Sequence, residues 1–248
     1  MNAKDLKKNE GVLLSELINS YKRKNLNFTK TIQTDKNNII KVYQDILSPK
    51  SIRELSIFVN KLFAFKVNTS FWCEANKESE CWENFFSKIA SVIEIKDISG
   101  VEWWVRNRPI HESMNFHFDK DESLYNLTGK VKVPRLSTVL YLSSCSSYTL
   151  VSNQMVDEKG AVIPSFPTSI TIVDCEINKL LCFSGNLSHA VQGIKENGKR
   201  ITLIMNWWCN YIPLNIPNSP DIVKFPLLEI GSVKLGNTYT LQGELFKY

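Results

Sequence analysis

Histidine is scarce in this 248-residue chain: there are three, and no two stand in a His-x-His pair. That disfavours a cupin-like metal site built on paired imidazoles. The six cysteines form no Cys-x-x-Cys pair, which argues against a zinc knuckle or a thioredoxin-like redox site. Several of them sit inside apolar stretches, where buried free thiols are common. No apolar run reaches the roughly 18 residues that a membrane helix needs. The opening "MNAKDLKKNE" has no apolar signal core. These absences lead to the expectation of an intracellular, reduced protein, cytoplasmic or nuclear, with no membrane partner. A net charge of +5 with dispersed lysines is too weak to argue for nucleic acid, though it does not exclude it. The densest basic run, "YKRK" at 21–24, reads as a solvated helix face.

What is present is a soluble globular composition, 43% hydrophobic and 22% charged, enough for a real core. The first hundred residues read as mostly helical. "GVLLSELINSYK", "NIIKVYQDIL" and "SIRELSIFVNKLFAF" carry apolar residues at helical spacing, and Ser48 or Ser51 can cap the third. "CWENFFSKIASVIEI" predicts a fourth helix with Trp82, Phe85, Phe86, Ile89 and Ile93 inward. After Gly100 the texture changes to short β-branched and aromatic runs separated by turn residues. That pattern predicts a β-sandwich or barrel. The chain therefore reads as α+β, with residues 1–99 a helical support region and 100–248 a β-core with a C-terminal extension, all one globule. "ENGKR" at 196–200 predicts a turn with positive φ at Asn197-Gly198. "SVKLGNTYTLQGELF" reads as a final strand pair, and "IPLNIPNSPDIVKFP" as an extended wrapping segment.

The chemistry starts at "MNFHFDK". On a strand, His117 and Asp119 point to one face, so an imidazole and a carboxylate can aim at one point, with Phe118 turned to the core. A third ligand must come from elsewhere. His189, in "LLCFSGNLSHAVQGI", follows a strand and a turn and is the better candidate. His111, in the loop-like "RPIHESMN", reads as a surface or rim residue. Two His and one Asp make the facial triad of a non-haem Fe(II) oxygenase, with the other positions open. Such sites often take 2-oxoglutarate, whose far carboxylate needs a buried cation. Arg200 follows His189 across the turn, and a guanidinium grips a carboxylate bidentately. Thr202 shares its face and adds a hydroxyl, and Asn206 has the same parity. Trp104 and Arg106 share a face upstream and can line a pocket; Trp207 and Trp208 close the barrel. Asp121 and Glu122 read as a solvated turn.

The order His-x-Asp, His, then Arg resembles the Fe(II)/2-oxoglutarate-dependent dioxygenase superfamily. It is most similar to the prolyl-4-hydroxylase-like branch. The strand "RLSTVLYL" at 135–142 and the block "KLLCFSGNLSHAVQGIKENGKRITLIMNWW" carry that likeness, which covers roughly residues 100–210. It implies a double-stranded β-helix (jelly-roll, cupin-like) core. It implies iron ligation by His117, Asp119 and His189, and 2-oxoglutarate held by Arg200, with Tyr141 donating its phenol. Oxygen is then the second cosubstrate, with ascorbate in a supporting role. The strand is one residue shorter between Thr138 and Tyr141 than the family pattern. That gives the two opposite parity and leaves open whether Tyr141 faces the site. Only Thr149 survives of the family's Gly-Gly-x-Thr segment, so the substrate-side wall, where Thr149 is expected, differs. The implied activity is hydroxylation or oxidative demethylation of a substrate, a protein side chain before a nucleic acid or small molecule, with release of succinate and CO2. The competing reading is a catalytically silent β-helix used for binding.

Overall fold

The computed structural model describes residues 29–30, 40–64, 69–75, 79–219 and 224–242. The helix expected from "GVLLSELINSYK" lies outside these residues. Ser48 caps the first described helix, α1 (Pro49–Ala64): its hydroxyl accepts the Ser51 N–H at 3.2 Å, and Pro49 supplies the preset φ of a first helical position. Leu55, Val59 and Leu62 form its buried stripe. A π-helical turn, Trp82–Phe86, runs into α2 (Ser87–Ile93). Its wider winding brings the consecutive Phe85 and Phe86 both fully inward.

One expected helix is a strand. "NIIKVYQDIL" forms β2 (Ile40–Gln44), paired with β10 (Leu180–Ser184). Alternation explains it: Val42 joins the cluster between the sheets, while Tyr43 joins the cluster under the helices. The sheet edge thus overrode an ambiguous apolar pattern. A further strand, β3 (Phe71–Glu74), borders β4 (Ile98–Pro109).

The remaining strands are β1 (Thr29–Lys30), β5 (Met114–His117), β6 (Leu136–Tyr141), β7 (Cys145–Val156), β8 (Val162–Ile163), β9 (Ser169–Cys175), β11 (Leu187–Gln192), β12 (Lys199–Cys209), β13 (Lys234–Leu235) and β14 (Tyr239–Gln242). They form two sheets. One runs β13-β2-β10-β6-β12-β4-β3; the other runs β1-β14-β9-β7-β11-β5, with β8 on β7. At their centres the chain alternates between β10-β6-β12-β4 and β9-β7-β11-β5, all pairs antiparallel. Two interleaved four-stranded halves of this order are a jelly roll. The fold is a double-stranded β-helix.

Strand parity separates two environments. Odd positions of β4 and β12 (Val101, Trp103, Val105; Leu203, Met205, Trp207) pack against the helices. Even positions face the space between the sheets, where Val139, Tyr141, Val151, Val173, Leu181, Phe183 and Leu187 form an apolar floor with Ile204 against it. Phe225, in the wrapping segment, is 3% exposed and its ring meets Phe58, Phe85, Phe86 and Trp103 at 4.6–5.1 Å. The expected final strand pair is instead two strands in different sheets, β13 on β2 and β14 on β9 and β1. At the 196–200 turn, Gly198 has φ 150° and Asn197 does not have positive φ.

Candidate metal centre

β5 and β11 pair with His117 directly opposite His189. Asp119 lies just past the end of β5, two residues beyond His117. The three side chains converge, with one potential ligand atom from each lying within 4.8 Å of the others. Asp119 reaches His117 Nε2 at 4.0 Å and His189 Nε2 at 3.7 Å. The two imidazole rings are 4.2 Å apart between centroids.

The backbone selects the tautomer. His117 Nδ1 is 2.9 Å from the Asn115 carbonyl and His189 Nδ1 is 3.3 Å from that of Leu187. A carbonyl only accepts, so each Nδ1 carries the hydrogen and each Nε2 presents a lone pair toward Asp119. Burial drives the His189 pKa down to about 4; Asp119 opposes the fall and His117 adds to it. His189 is therefore neutral at pH 7, the form that ligates a cation. Phe183 packs on its ring at 4.9 Å. The His117 side chain, 35% exposed, forms the open side. Phe116 rather than Phe118 anchors β5, packing on Leu150, Ile170, Ile172, Ala190 and Leu241.

Ser137 steadies the carboxylate. Its hydroxyl lies 3.1 Å from Asp119 Oδ2 and 2.8 Å from Asn206 Oδ1, one proton facing two acceptors. Asn206 opposes Ser137 on one side and Glu102 on the other. Glu102 is half-buried on the inward face of β4. Burial pushes its carboxyl from 4.5 to about 7; Ser70 opposes, Asp119 adds, and Trp208 and Asn206 oppose. Trp208 Nε1 has no hydrogen-bond partner in range, so its positive edge acts on Glu102 from longer distance. Sequence reading missed both Ser137 and Glu102. The available signal was parity: Ser137 is the polar residue on an otherwise apolar inward face of β6, and Glu102 shares the inward face of β4 with Trp104 and Arg106.

A second polar group lies deeper. Arg200 is 7% exposed. Its Nη2 donates to Thr149 Oγ1 at 2.9 Å, and the Tyr141 phenol donates to the same oxygen at 2.7 Å. The guanidinium sits 5.5 Å over the Tyr141 ring. Tyr141 thus faces the interior, and Thr138 is the residue that turns away, bonded to the Met205 carbonyl and the Trp207 indole. Thr149 belongs to this basic corner. Burial raises the Tyr141 pKa to about 12, against the pull of Arg200 and the Thr149 bond, so the phenol remains a donor. Arg200 Nε and Thr202 Oγ1 are buried without partners. No described ion pair includes Arg200. Thr149 is one alternate-residue step along β7 from Val151, the partner of His189, or roughly 7 Å.

The other expected residues fall as follows. Trp104 and Arg106 are half-buried on the inward face of β4, opposite Ile204 and Thr202. His111 is exposed in a turn. Trp207 packs outward under the helices. Asp121 is 3% exposed, not solvated. It caps α3 (Glu122–Thr128) through the Leu124 N–H at 2.8 Å and accepts from Tyr211 Oη at 2.7 Å and the Leu214 N–H at 2.8 Å.

No family model and no curated protein matches the chain. Among solved structures it is similar to a prolyl-4-hydroxylase from Pseudomonas putida, with 14% identity and a TM-score of 0.43, over 69% of this chain and 88% of that one. It is similar to HygX from Streptomyces hygroscopicus with nickel and 2-oxoglutarate bound, with 11% identity and a TM-score of 0.45, over 77% and 92%. The same protein with iron bound matches at 13% identity and a TM-score of 0.44, over 78% and 92%. No described helix is long and apolar enough to cross a membrane.

Proposed function

We propose that this chain is an Fe(II)- and 2-oxoglutarate-dependent oxygenase of the prolyl-4-hydroxylase-like kind, hydroxylating a protein side chain and releasing succinate and CO2. One observation carries the reading: a His-Asp-His cluster with both Nε2 lone pairs inward shares the barrel with a buried guanidinium that has no acid of its own. Two imidazoles and one carboxylate suit Fe(II) and leave positions free. The unpartnered Arg200 Nε and Thr202 hydroxyl call for a buried acceptor, and a carboxylate is the acceptor that a guanidinium matches.

In this reading His117, Asp119 and His189 would hold the iron, and Arg200, Thr202 and the Tyr141–Thr149 pair would hold the far carboxylate of 2-oxoglutarate. Thr149, which holds Arg200, stands one alternate-residue step, roughly 7 Å, along β7 from the residue paired with His189, which suits a short dicarboxylate laid along that strand. When bound, the iron and 2-oxoglutarate supply the oxidising power drawn from O2. The protein orients. Ser137 keeps Asp119 turned to its neighbours, the two carbonyls hold the imidazole tautomers, and the apolar floor around Phe183 and Leu187 excludes water. Trp104, Arg106 and Asn206 would form the wall that the substrate meets.

The test is succinate release from 2-oxoglutarate with added Fe(II), comparing wild type with His117→Ala and Asp119→Ala. Turnover in the wild type and its loss in both variants is the expected result. Absence of turnover together with absence of Fe(II) and 2-oxoglutarate binding by titration would sink the reading.

A further inference from the structure

The inward face of β4 carries an acid, an indole and a base at alternate positions: Glu102, Trp104 and Arg106. Successive members are roughly 7 Å apart along the strand. Their cross-strand partners on β12 are Asn206, Ile204 and Thr202. The barrel interior is therefore polarised along its length. Arg106 and Arg200 lie at the Thr202 end. Glu102 lies at the other, beside the Asn206–Ser137–Asp119 line.

Each charge raises the question of its counterion. The Arg end suits the anionic cosubstrate. Glu102 is half-buried, and no described ion pair includes it. Asn206 is its cross-strand neighbour on β12, with Oδ1 taken by the Ser137 hydroxyl. Ser70 favours its ionised form from nearby. These neutral neighbours do not neutralise a carboxylate. The Trp104 indole lies one step along the same face, and its π surface attracts cations. A carboxylate one alternate-residue step from an indole on the same inward face, within electrostatic reach of Asp119, is the chemistry that selects an ammonium group.

We infer that Glu102, with Trp104, is the recognition site for a positively charged amine on the substrate, held beside the reacting centre. This rests on the oxygenase reading and narrows its substrate to one bearing an alkylammonium group. Its burial-raised pKa fits a carboxylate awaiting a counter-charge, since a cation docked there would favour the ionised form. Arg106 would repel the same cation from the cosubstrate end and so fix its direction of entry.

The experiment uses the full chain loaded with Mn(II) and 2-oxoglutarate at pH 8. Mn(II) is redox-inert here and paramagnetic, so it broadens the proton NMR lines of any small molecule held near it. The probes are n-butylammonium, n-butanol and butyrate. Line broadening of n-butylammonium well above that of the other two is the expected result. Glu102→Gln should weaken it about tenfold or more, the effect of losing a charge-assisted hydrogen bond, while Glu102→Asp should keep part of it. Electron-paramagnetic-resonance titration of Mn(II) accompanies each variant, with His189→Ala as the reference for a lost metal site. Equal broadening of all three probes, or a Glu102→Gln protein that binds Mn(II) and broadens n-butylammonium as the wild type does, overturns the amine site alone. If the wild type binds Mn(II) no better than His189→Ala, the metal reading fails and the amine site falls with it.

Discussion

Arg200→Met should make the protein more stable and unable to hold 2-oxoglutarate. Arg200 is 7% exposed, its Nε is unpartnered, and one Nη2 bond to Thr149 is its described hydrogen bond. Thr149 keeps the 2.7 Å bond from Tyr141 when the guanidinium goes, so no new buried acceptor is stranded. Methionine fills a similar length of apolar space beside the Tyr141 ring. Replacing buried charge with well-packed apolar atoms is neutral or stabilising by about 1–4 kcal/mol. Taking about 1–2 kcal/mol, and about 2–4 °C per kcal/mol for a chain of this size, the Tm without 2-oxoglutarate should rise by roughly 2–8 °C. The ligand effect has the opposite sign. Saturation at about 100 times Kd stabilises the wild type by about 2.7 kcal/mol, an upward shift of roughly 5–11 °C. Losing one partner of a buried pair costs about 3–5 kcal/mol, or roughly 10²–10⁴-fold in Kd. The Arg200→Met melt should then not respond to 2-oxoglutarate. Thermal melts with Mn(II), with and without 2-oxoglutarate, read both quantities. A variant that melts several degrees below wild type without ligand, or that keeps the ligand shift, would show that Arg200 is a structural residue and refute the reasoning.

Ser137→Ala should weaken Mn(II) binding about 10–100-fold, the range for lost partners of ligating carboxylates, and Ser137→Thr should restore it; an unchanged titration for the Ala variant would remove Ser137 from the site. Glu102 gives a pH signature. Its folded-state pKa, about 7, lies above its ordinary 4.5, so between those values the native state holds a proton that the unfolded chain has lost. Its stabilising contribution is complete below pH 4.5 and is lost as pH rises through 7, on the order of 3 kcal/mol in all. Urea melts of Glu102→Gln should lack that component, and identical pH slopes for the two proteins would contradict it. Phe225→Ala should cost about 3–5 kcal/mol, because its ring meets four others; a urea-melt loss below about 1 kcal/mol would show that the wrapping segment is not part of the core.

The β-rich half was legible because strand periodicity and turn residues are local signals. His117, Asp119, His189 and Arg200 could be brought together by parity and order alone. What failed was pairing. Ile40–Gln44 looks helical in isolation, and only the free edge of β10 makes it a strand. β13 and β14 look like a hairpin, yet each finds a better partner in a different sheet. Tyr141 and Thr138 had opposite parity in either reading, and which one faced inward depended on which side of β6 the helices cover. Thr149 was expected on the substrate side but lies at the Arg200 corner, two residues along β7 from Val151, the partner of His189. Ser137 and Glu102 were visible as polar residues on inward strand faces, but their meaning depends on Asn206, which arrives from β12.

The pairing of β1 with β14, and of β2 with β10 and β13, has a consequence for how the molecule is made. Thr29 finds its partner in Thr240, so β1 is made long before the strand it pairs with. β9 is extended outward by β14 and β1, and β10 by β2 and β13. Until residues 234–242 are made, β9 and β2 each present an open row of amides and carbonyls, which are templates for pairing with another copy. Closure requires contacts of high sequence separation, which form slowly. The newborn chain therefore passes through an interval in which most of the barrel exists and its edges are unguarded. A chaperone that occupies strand edges would have its greatest effect on yield in that interval.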